Sequence, residues 1–429
     1  MKINYKRSMK ALFPAIALAI SIGSVQAQEK QPIKIAFPVF LSTAAAGTFG
    51  EPEKNAAEIV VQALNEGTFP APYKEHKGIN GRLIEPIYID EATDAVTEYR
   101  NAVERDKVEA VIGYTSSGNC KAIAPVAEEM KTPTVLVDCG TNQIFESVVK
   151  DPKYLFRTGP IQTTDAIGAA RYFKDEGIDV SRVAGINANY AFGQDNWNDF
   201  SAALKVIFPS SSVATSQFPK LGAGQYGAEI SALMTSRPSV IFSSLWGGDV
   251  DAFVLQGQPR GIFARTPVML TCGEPSAMTL GSKFPAGVII GARGPYSYFA
   301  PDNELSRWFR SAYTEKFGKE PTYAAWKMVQ AILGLKSAWE KNGPVSDKEA
   351  AVAAFKGLTF ESPSGTVEMA IGKGHQAIQG VSFAKIDHDK DGKVILSNRR
   401  DYSASCVNPP EGVPVDEWIK AGFPQAKCD

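Results

Sequence analysis

Short apolar runs alternate with amphipathic stretches along most of this chain. Residues 33–40 are almost continuously apolar, the mark of a strand buried on both faces, and a small-residue loop at 42–50 leads into a helical pattern over 52–65. The unit repeats, with strands at 82–89, 110–112 and 134–137 and helices at 95–105 and 121–130. After a strand at 154–158 the rhythm starts afresh. Helices at 164–176, 193–208, 228–236 and 249–258 then lie among strands at 182–186, 213–217, 239–243 and 267–270. Strands alternating with helices at this spacing predict βαβ units with right-handed crossovers, hence parallel sheets. Two successive runs of such units predict two α/β lobes of similar build. In the last third, helical patterns at 303–317, 323–341 and 347–356 follow one another without strands, and strands at 380–386 and 393–396 close the pattern. Helices without intervening strands predict a chain that returns to pack on a lobe already formed.

In open parallel sheets a ligand sits beyond the carboxyl ends of the strands, so candidate chemistry is sought in the loops there. The stretch 111–120 stands out. Its strand runs into Gly113 and a cluster of hydroxyl residues, and a helix follows at once, so unpaired N–H groups and the positive end of a helix dipole face whatever lies beyond. Ser116, Ser117 or Asn119 capping its own helix accounts for such a junction as well. Phe49, Tyr114, Tyr190, Phe192 and Trp246 each fall just past an expected strand. One aromatic residue at such a position is ordinary packing; several at one edge predict a wall against which a ligand stacks.

Composition narrows the picture. The 429-residue chain starts with Lys2, Lys6, Arg7 and Lys10 ahead of an apolar run over 11–22, and Val25-Gln26-Ala27 has the small-residue pattern of a signal-peptidase site. Residues 1–27 are therefore expected to be an export signal, with the mature chain starting at Gln28 in the periplasm. No later apolar run reaches the roughly 20 residues of a membrane-spanning helix. A formal net charge of -1 without a basic run argues against nucleic acid or an anionic membrane as partner. All five cysteines follow the signal, where an oxidising compartment permits disulfides, and their odd number leaves at least one unpaired. Cys406 with Cys428 is the favoured pair, because it staples a Pro-rich tail; Cys120 and Cys139 follow successive strands and are placed to meet as well.

Three motifs carry less than they promise. Gly222, Gly224 and Gly227 spell G-x-G-x-x-G, but Pro219 and Lys220 separate them from the preceding strand and no acid follows at the dinucleotide position, so a loop is expected. Asp387, Asp389, Asp391 and Gly392 open like a calcium loop. Its twelfth position is Asn398 instead of Glu, and strands flank it, so a hairpin turn is expected. The three histidines, His76, His375 and His388, sit beside no nucleophile motif and show no metal-ligand spacing.

Taken in order, Ile33-Lys34-Ile35-Ala36, Gly78-Ile79-Asn80-Gly81-Arg82, Val111-Ile112-Gly113, Phe156-Arg157-Thr158 and Tyr323-Ala324-Ala325 resemble the type I periplasmic binding proteins that feed branched-chain amino-acid ABC transporters. The likeness runs through almost the whole mature chain. It implies an α/β fold of two Rossmann-like lobes with parallel sheets joined by a three-segment hinge, crossing near Thr158, near Ala292 and between 368 and 380. Residues 28–158 and 293–369 would form the first lobe, and 159–292 and 370–429 the second. In such a cleft Ser116, Ser117, Thr141 and the backbone of Cys139 would hold a carboxylate. Glu274 would hold an amine, with Gly273 the alternative in register, and Phe49, Phe192 and Trp246, with Tyr114 beside them, would take the side chain. Leucine binders commonly carry Tyr where Phe49, Phe192 and Trp246 stand, and Ala92 and Thr93 replace part of a cysteine pair found in some members.

The expected function is that of a non-catalytic, monomeric receptor without cofactor or metal. It captures a small carboxylate-bearing solute, an apolar or aromatic amino acid, by hinge closure and docks on an inner-membrane ABC permease. The same fold binding an aromatic acid or a short amide is the alternative. A secreted hydrolase using paired carboxylates, or a sensing module, are the other readings the residues allow.

Overall fold

The computed structural model describes residues 1–3, 31–341 and 348–428, so the expected export signal lies outside them apart from its first residues. Among the described residues, fifteen strands form two sheets. The first takes β1 (Ile33–Val39), β2 (Ile84–Asp90), β3 (Ala110–Gly113), β4 (Thr134–Leu136) and β5 (Leu155–Arg157). The second takes β6 (Arg182–Ile186), β7 (Ser212–Gln217), β8 (Val240–Ser243), β9 (Val268–Leu270) and β10 (Ile289–Gly291). Both parallel cores have the same order, β2-β1-β3-β4-β5 and β7-β6-β8-β9-β10. Each order reverses direction once, between β1 and β3 and between β6 and β8. Those switch points are where a doubly wound sheet opens a crevice at its carboxyl edge.

Four strands were not foreseen, β10 and the three that follow it in the chain. β11 (Thr359–Ser362), β12 (Gly365–Ile371) and β13 (Gln376–Ile378) extend the first sheet, β13 running parallel to β5 and the others antiparallel. The chain therefore leaves the first sheet only after Ile378, later than the division at 369/370 that the resemblance implied. β14 (Val381–His388) and β15 (Val394–Tyr402) then return as an antiparallel hairpin on β10. The calcium-like segment is its turn: Asp389 Oδ1 accepts the N–H groups of Asp391 and Lys393, and Gly392 takes a left-handed φ of 77°. The G-x-G-x-x-G segment is a loop between β7 and helix Gly227–Ser236.

Helix Tyr323–Lys341 is apolar nearly all round because it is enclosed, packing on helix Glu51–Glu66 and on the first sheet. It also ties the hinge together. Gln330 Nε2 donates to the carbonyl of Thr158 at 2.6 Å and to Gln379 Oε1 at 3.0 Å, and Tyr296 hydroxyl donates to the same oxygen. One glutamine thus touches all three crossings. Both anticipated disulfides form, Cys120–Cys139 and Cys406–Cys428, and Cys272 is the free, buried cysteine. The tail has more core than its prolines suggest, since Trp418 and Ile419 of helix Val415–Lys420 are buried in the second lobe. Among the described residues no helix is long and apolar enough to cross a membrane.

Candidate ligand-binding site

The loops beyond β1, β3, β4, β6, β8, β9 and β10 converge between the two sheets. Three of them turn sharply: Tyr114, Cys139 and Arg293, just past β3, β4 and β10, have left-handed φ values of 67°, 60° and 52°. Such backbone costs on the order of 1 kcal/mol or more per residue and persists where surrounding structure enforces it.

Aromatic side chains from both lobes meet there. Phe49 lies edge-on to Trp246 at 4.9 Å and to Tyr323 at 5.4 Å, and Trp246 Nε1 donates to the Tyr190 hydroxyl at 2.8 Å. Phe192 packs beside Tyr190, and the Arg293 guanidinium lies 4.7 Å over the Phe192 ring. These walls nearly touch. Phe49, Thr115, Asp138, Gly140, Trp246 and Cys272 are among the residues around a void of about 10 Å³, barely one water's worth. The lobes are shut, and a Cβ at Gly140 would stand 2.6 Å from the Phe192 ring. On the other side of the Trp246 indole a second space of about 440 Å³ opens between Thr43–Ala45, Glu91 and Ser116 of one lobe and Leu221, Gly247 and Asp249 of the other.

Phe49, Phe192 and Trp246 are thus brought together as expected positions of a wall. Tyr114 is not. Its left-handed turn carries the ring to the other side of the sheet, into the core with Tyr99 and Ile123, and its hydroxyl reaches the Ala95 carbonyl at 3.4 Å.

The polar residues expected to hold a ligand are engaged within the chain. The N–H groups of Thr115 and Ser116, at the start of helix Ser117–Glu129, both donate to Glu91, at 2.8 and 2.7 Å. The protein's own carboxylate thus sits where the helix N-terminus favours an anion. Burial pushes Glu91 up to about 7, the N–H donors opposing it. Ser117 Oγ accepts the Thr141 N–H at 3.3 Å, and Thr141 hydroxyl donates to Asp195 of the opposite lobe, which also takes Gln143 Nε2 at 2.8 Å. The Cys139 N–H donates to the Thr115 carbonyl at 3.2 Å. Glu274, the candidate amine anchor, is buried at the start of helix Glu274–Leu280. It accepts from the Ser297 hydroxyl and, at 3.1 Å, from the Tyr323 N–H, and burial raises its carboxyl to about 7.

Two charges that line the void, Asp138 and Arg293, and two behind them, Lys327 and Asp165, were missed. Asp138 Oδ1 takes Arg293 Nη2 at 2.8 Å, Asp138 Oδ2 lies 2.9 Å from Lys327 Nζ, and Arg293 Nη1 donates to Asp165 at 2.6 Å. All four are buried. Burial favours a neutral Asp138, but Arg293 and Lys327 outweigh it and hold its carboxyl below the ordinary value. Lys327 is brought down to about 8 by burial against the pull of Asp138, and burial raises Asp165 to about 6. Burial also lifts the Cys272 thiol to about 12, leaving it protonated and inert as a nucleophile at neutral pH. The available signal was Lys327, a charged residue within the apolar pattern of 323–341.

Comparison with known proteins fits this geometry. The family model for periplasmic binding proteins matches residues 32–393. No curated protein matches the chain. Among solved structures, a solute-binding protein of an ABC transporter from Rhodopseudomonas palustris, in complex with 3,4-dihydroxybenzoic acid, superposes with a TM-score of 0.72 at 21% identity, covering 87% of this chain and 98% of that one. A leucine-binding protein from Thermotoga maritima gives 0.71 at 22%, covering 86% and 98%. A branched-chain amino-acid transporter substrate-binding protein from Streptococcus pneumoniae, in complex with isoleucine, gives 0.72 at 17%, covering 87% and 100%. With its two doubly wound lobes, three crossings and loops meeting at both switch points, the chain belongs to the periplasmic binding protein family, in its type I form.

Proposed function

We propose that the protein is the solute receptor of an ABC importer, exported to the periplasm, and that it captures a small carboxylate bearing an aromatic body. The observation that carries this reading is the ring of Phe49, Tyr190, Phe192, Trp246 and Tyr323, drawn from both lobes around a buried guanidinium and ammonium. Flat aromatic walls supply apolar area with a preferred edge or face geometry for a ring. Opening of the hinge separates Thr141 from Asp195, and the hydroxyls of Ser117 and Thr141 then take the carboxylate, with Arg293 and Lys327 behind them favouring negative charge. Closure buries the solute, and the closed form docks on an inner-membrane permease.

An aromatic acid is favoured over an amino acid because the two candidate amine anchors, Glu274 and Asp138, are already engaged. Glu274 is engaged by Ser297 and Tyr323, and Asp138 by two cations. An incoming ammonium would meet the Arg293 guanidinium, which lines the void. The two chemistries are also those named for the solved neighbours, dihydroxybenzoic acid and isoleucine. A thermal-shift series on the mature chain separates them. Benzoate and hydroxybenzoates are expected to raise the melting temperature at concentrations where leucine, isoleucine and phenylalanine do not. Stabilisation by the amino acids at lower concentration than by the aromatic acids contradicts the assignment.

A further inference from the structure

A third cavity, of about 590 Å³, lies away from the aromatic void, at the seam between the loop after β4, the β12–β13 turn and the tail beyond β15. Its wall includes Arg157, which is 1% exposed. Arg157 Nη1 donates to the carbonyls of Cys139 and Thr141, and Nε to Gln376 Oε1. Nη2 has no hydrogen-bond partner among the described residues, and no salt bridge there reaches this guanidinium. An arginine buried without a directly paired counterion is costly, and here burial, with Arg293 adding to it against the opposing charges of Asp138 and Glu146, brings its pKa down to about 9. The two buried arginines differ in this: Arg293 is in contact with Asp138 and Asp165, whereas Arg157 hydrogen-bonds only neutral acceptors and feels Asp138 and Glu146 at longer range.

The rest of the wall limits what could pair with it. Phe145, Ile161, Ile371 and Val413 give the cavity an apolar lining of a size suited to a small organic molecule. Glu146, Glu411, Asp416 and Glu417 also line it. Glu146 is held by the Val415 N–H and Glu411 by the Lys373 N–H, and Asp416 is paired with Lys420. These acids oppose a multiply charged anion such as phosphate more than a monoanion. A planar carboxylate on an apolar body meets one free guanidinium nitrogen, an apolar wall and the least repulsion.

We propose that this seam is a second binding site, taking a small organic monocarboxylate whose charge is met by Arg157. It lies apart from the site between the aromatic walls, and because Arg157 also holds the Cys139 and Thr141 carbonyls, Val413→Trp is the variant that reads the seam by itself. The test is ¹⁹F NMR of 4-fluorobenzoate with the full mature chain. A bound signal is expected that persists in Trp246→Ala, because that substitution alters only the aromatic site. It should weaken at least tenfold in Arg157→Gln and in Val413→Trp, which fills the cavity without touching Arg157. Should Arg157→Gln fail to fold, Val413→Trp decides alone. Absence of any bound signal in Trp246→Ala, or a signal there that Val413→Trp leaves unchanged, overturns the second site. A signal lost only in Trp246→Ala supports the aromatic site while overturning this one, so the two failures are distinct.

Discussion

At the scale of single residues, position relative to a strand end was the readable signal. Phe49, Phe192 and Trp246 could be picked out because each follows an apolar run, and the structure gathers them. Tyr114 satisfied the same rule and failed, because a left-handed φ one residue past β3 reverses its side chain, and nothing in local sequence announces that turn in a non-glycine residue. The ion network of Asp138, Arg293 and Lys327 was illegible for another reason: its members come from three distant segments, and only the fold makes them neighbours. Two substitutions probe this scale. Trp246→Ala is expected to weaken binding of an aromatic acid at least tenfold by isothermal titration calorimetry, since a buried indole is a large part of the wall; an unchanged affinity would place the ligand elsewhere. Gly140→Ala should hinder closure, because its Cβ would stand 2.6 Å from the Phe192 ring and 2.8 Å from Arg293 Nη2. Small-angle scattering of the variant should report a larger radius of gyration than the native chain, and an identical value would show that the neighbours yield.

Among elements, nine of the ten strands in the two parallel cores were visible from the apolar rhythm, the central ones because both of their faces are covered, and the three-residue β10 was passed over. β11, β12 and β13 were not visible either. They are short or alternate between buried and exposed positions, so they form no apolar run, and their pairing depends on β5, roughly 200 residues away in sequence. Disulfides tie different elements and predict different consequences. Cys406–Cys428 anchors the tail, so removing it by a double Ser substitution should cost about 3 kcal/mol of stability and leave affinity for an aromatic acid within a factor of about two. Cys120–Cys139 joins the helix that begins at Ser117 to the loop that carries Thr141. Its removal should lower both the melting temperature and the affinity. Equal effects of the two pairs on affinity would deny the second one any role in holding the site.

For the whole molecule, two lobes and three crossings followed from the repeated rhythm and the family resemblance, and what the sequence lacked was how tightly the shut cleft spends its own polar groups. That closure leaves carboxyls buried. Glu91 and Glu274 are raised to about 7 and Asp165 to about 6, in each case first by burial. Between an ordinary carboxyl value near 4 and those values, the folded chain keeps protons that the unfolded chain has released. The stability these groups contribute is therefore full below about pH 4 and is lost as pH rises towards 7. Glu274→Gln removes one of them, and its amide can still accept the Tyr323 N–H. The variant is expected to gain melting temperature relative to the native chain at pH 7.5 and not at pH 4; a gain of equal size at both would show that Glu274 is ionised throughout.

The most direct test of capture between the lobes is calorimetric titration of the mature chain with 4-hydroxybenzoate, beside the Ser117→Ala, Thr141→Ala double variant. A buried carboxylate deprived of its donors costs several kcal/mol. The account predicts saturable binding by the native chain and a loss of roughly a hundredfold or more in the variant, about 2.7 kcal/mol or greater. Equal affinity in the two proteins, or no binding to the native chain, contradicts it.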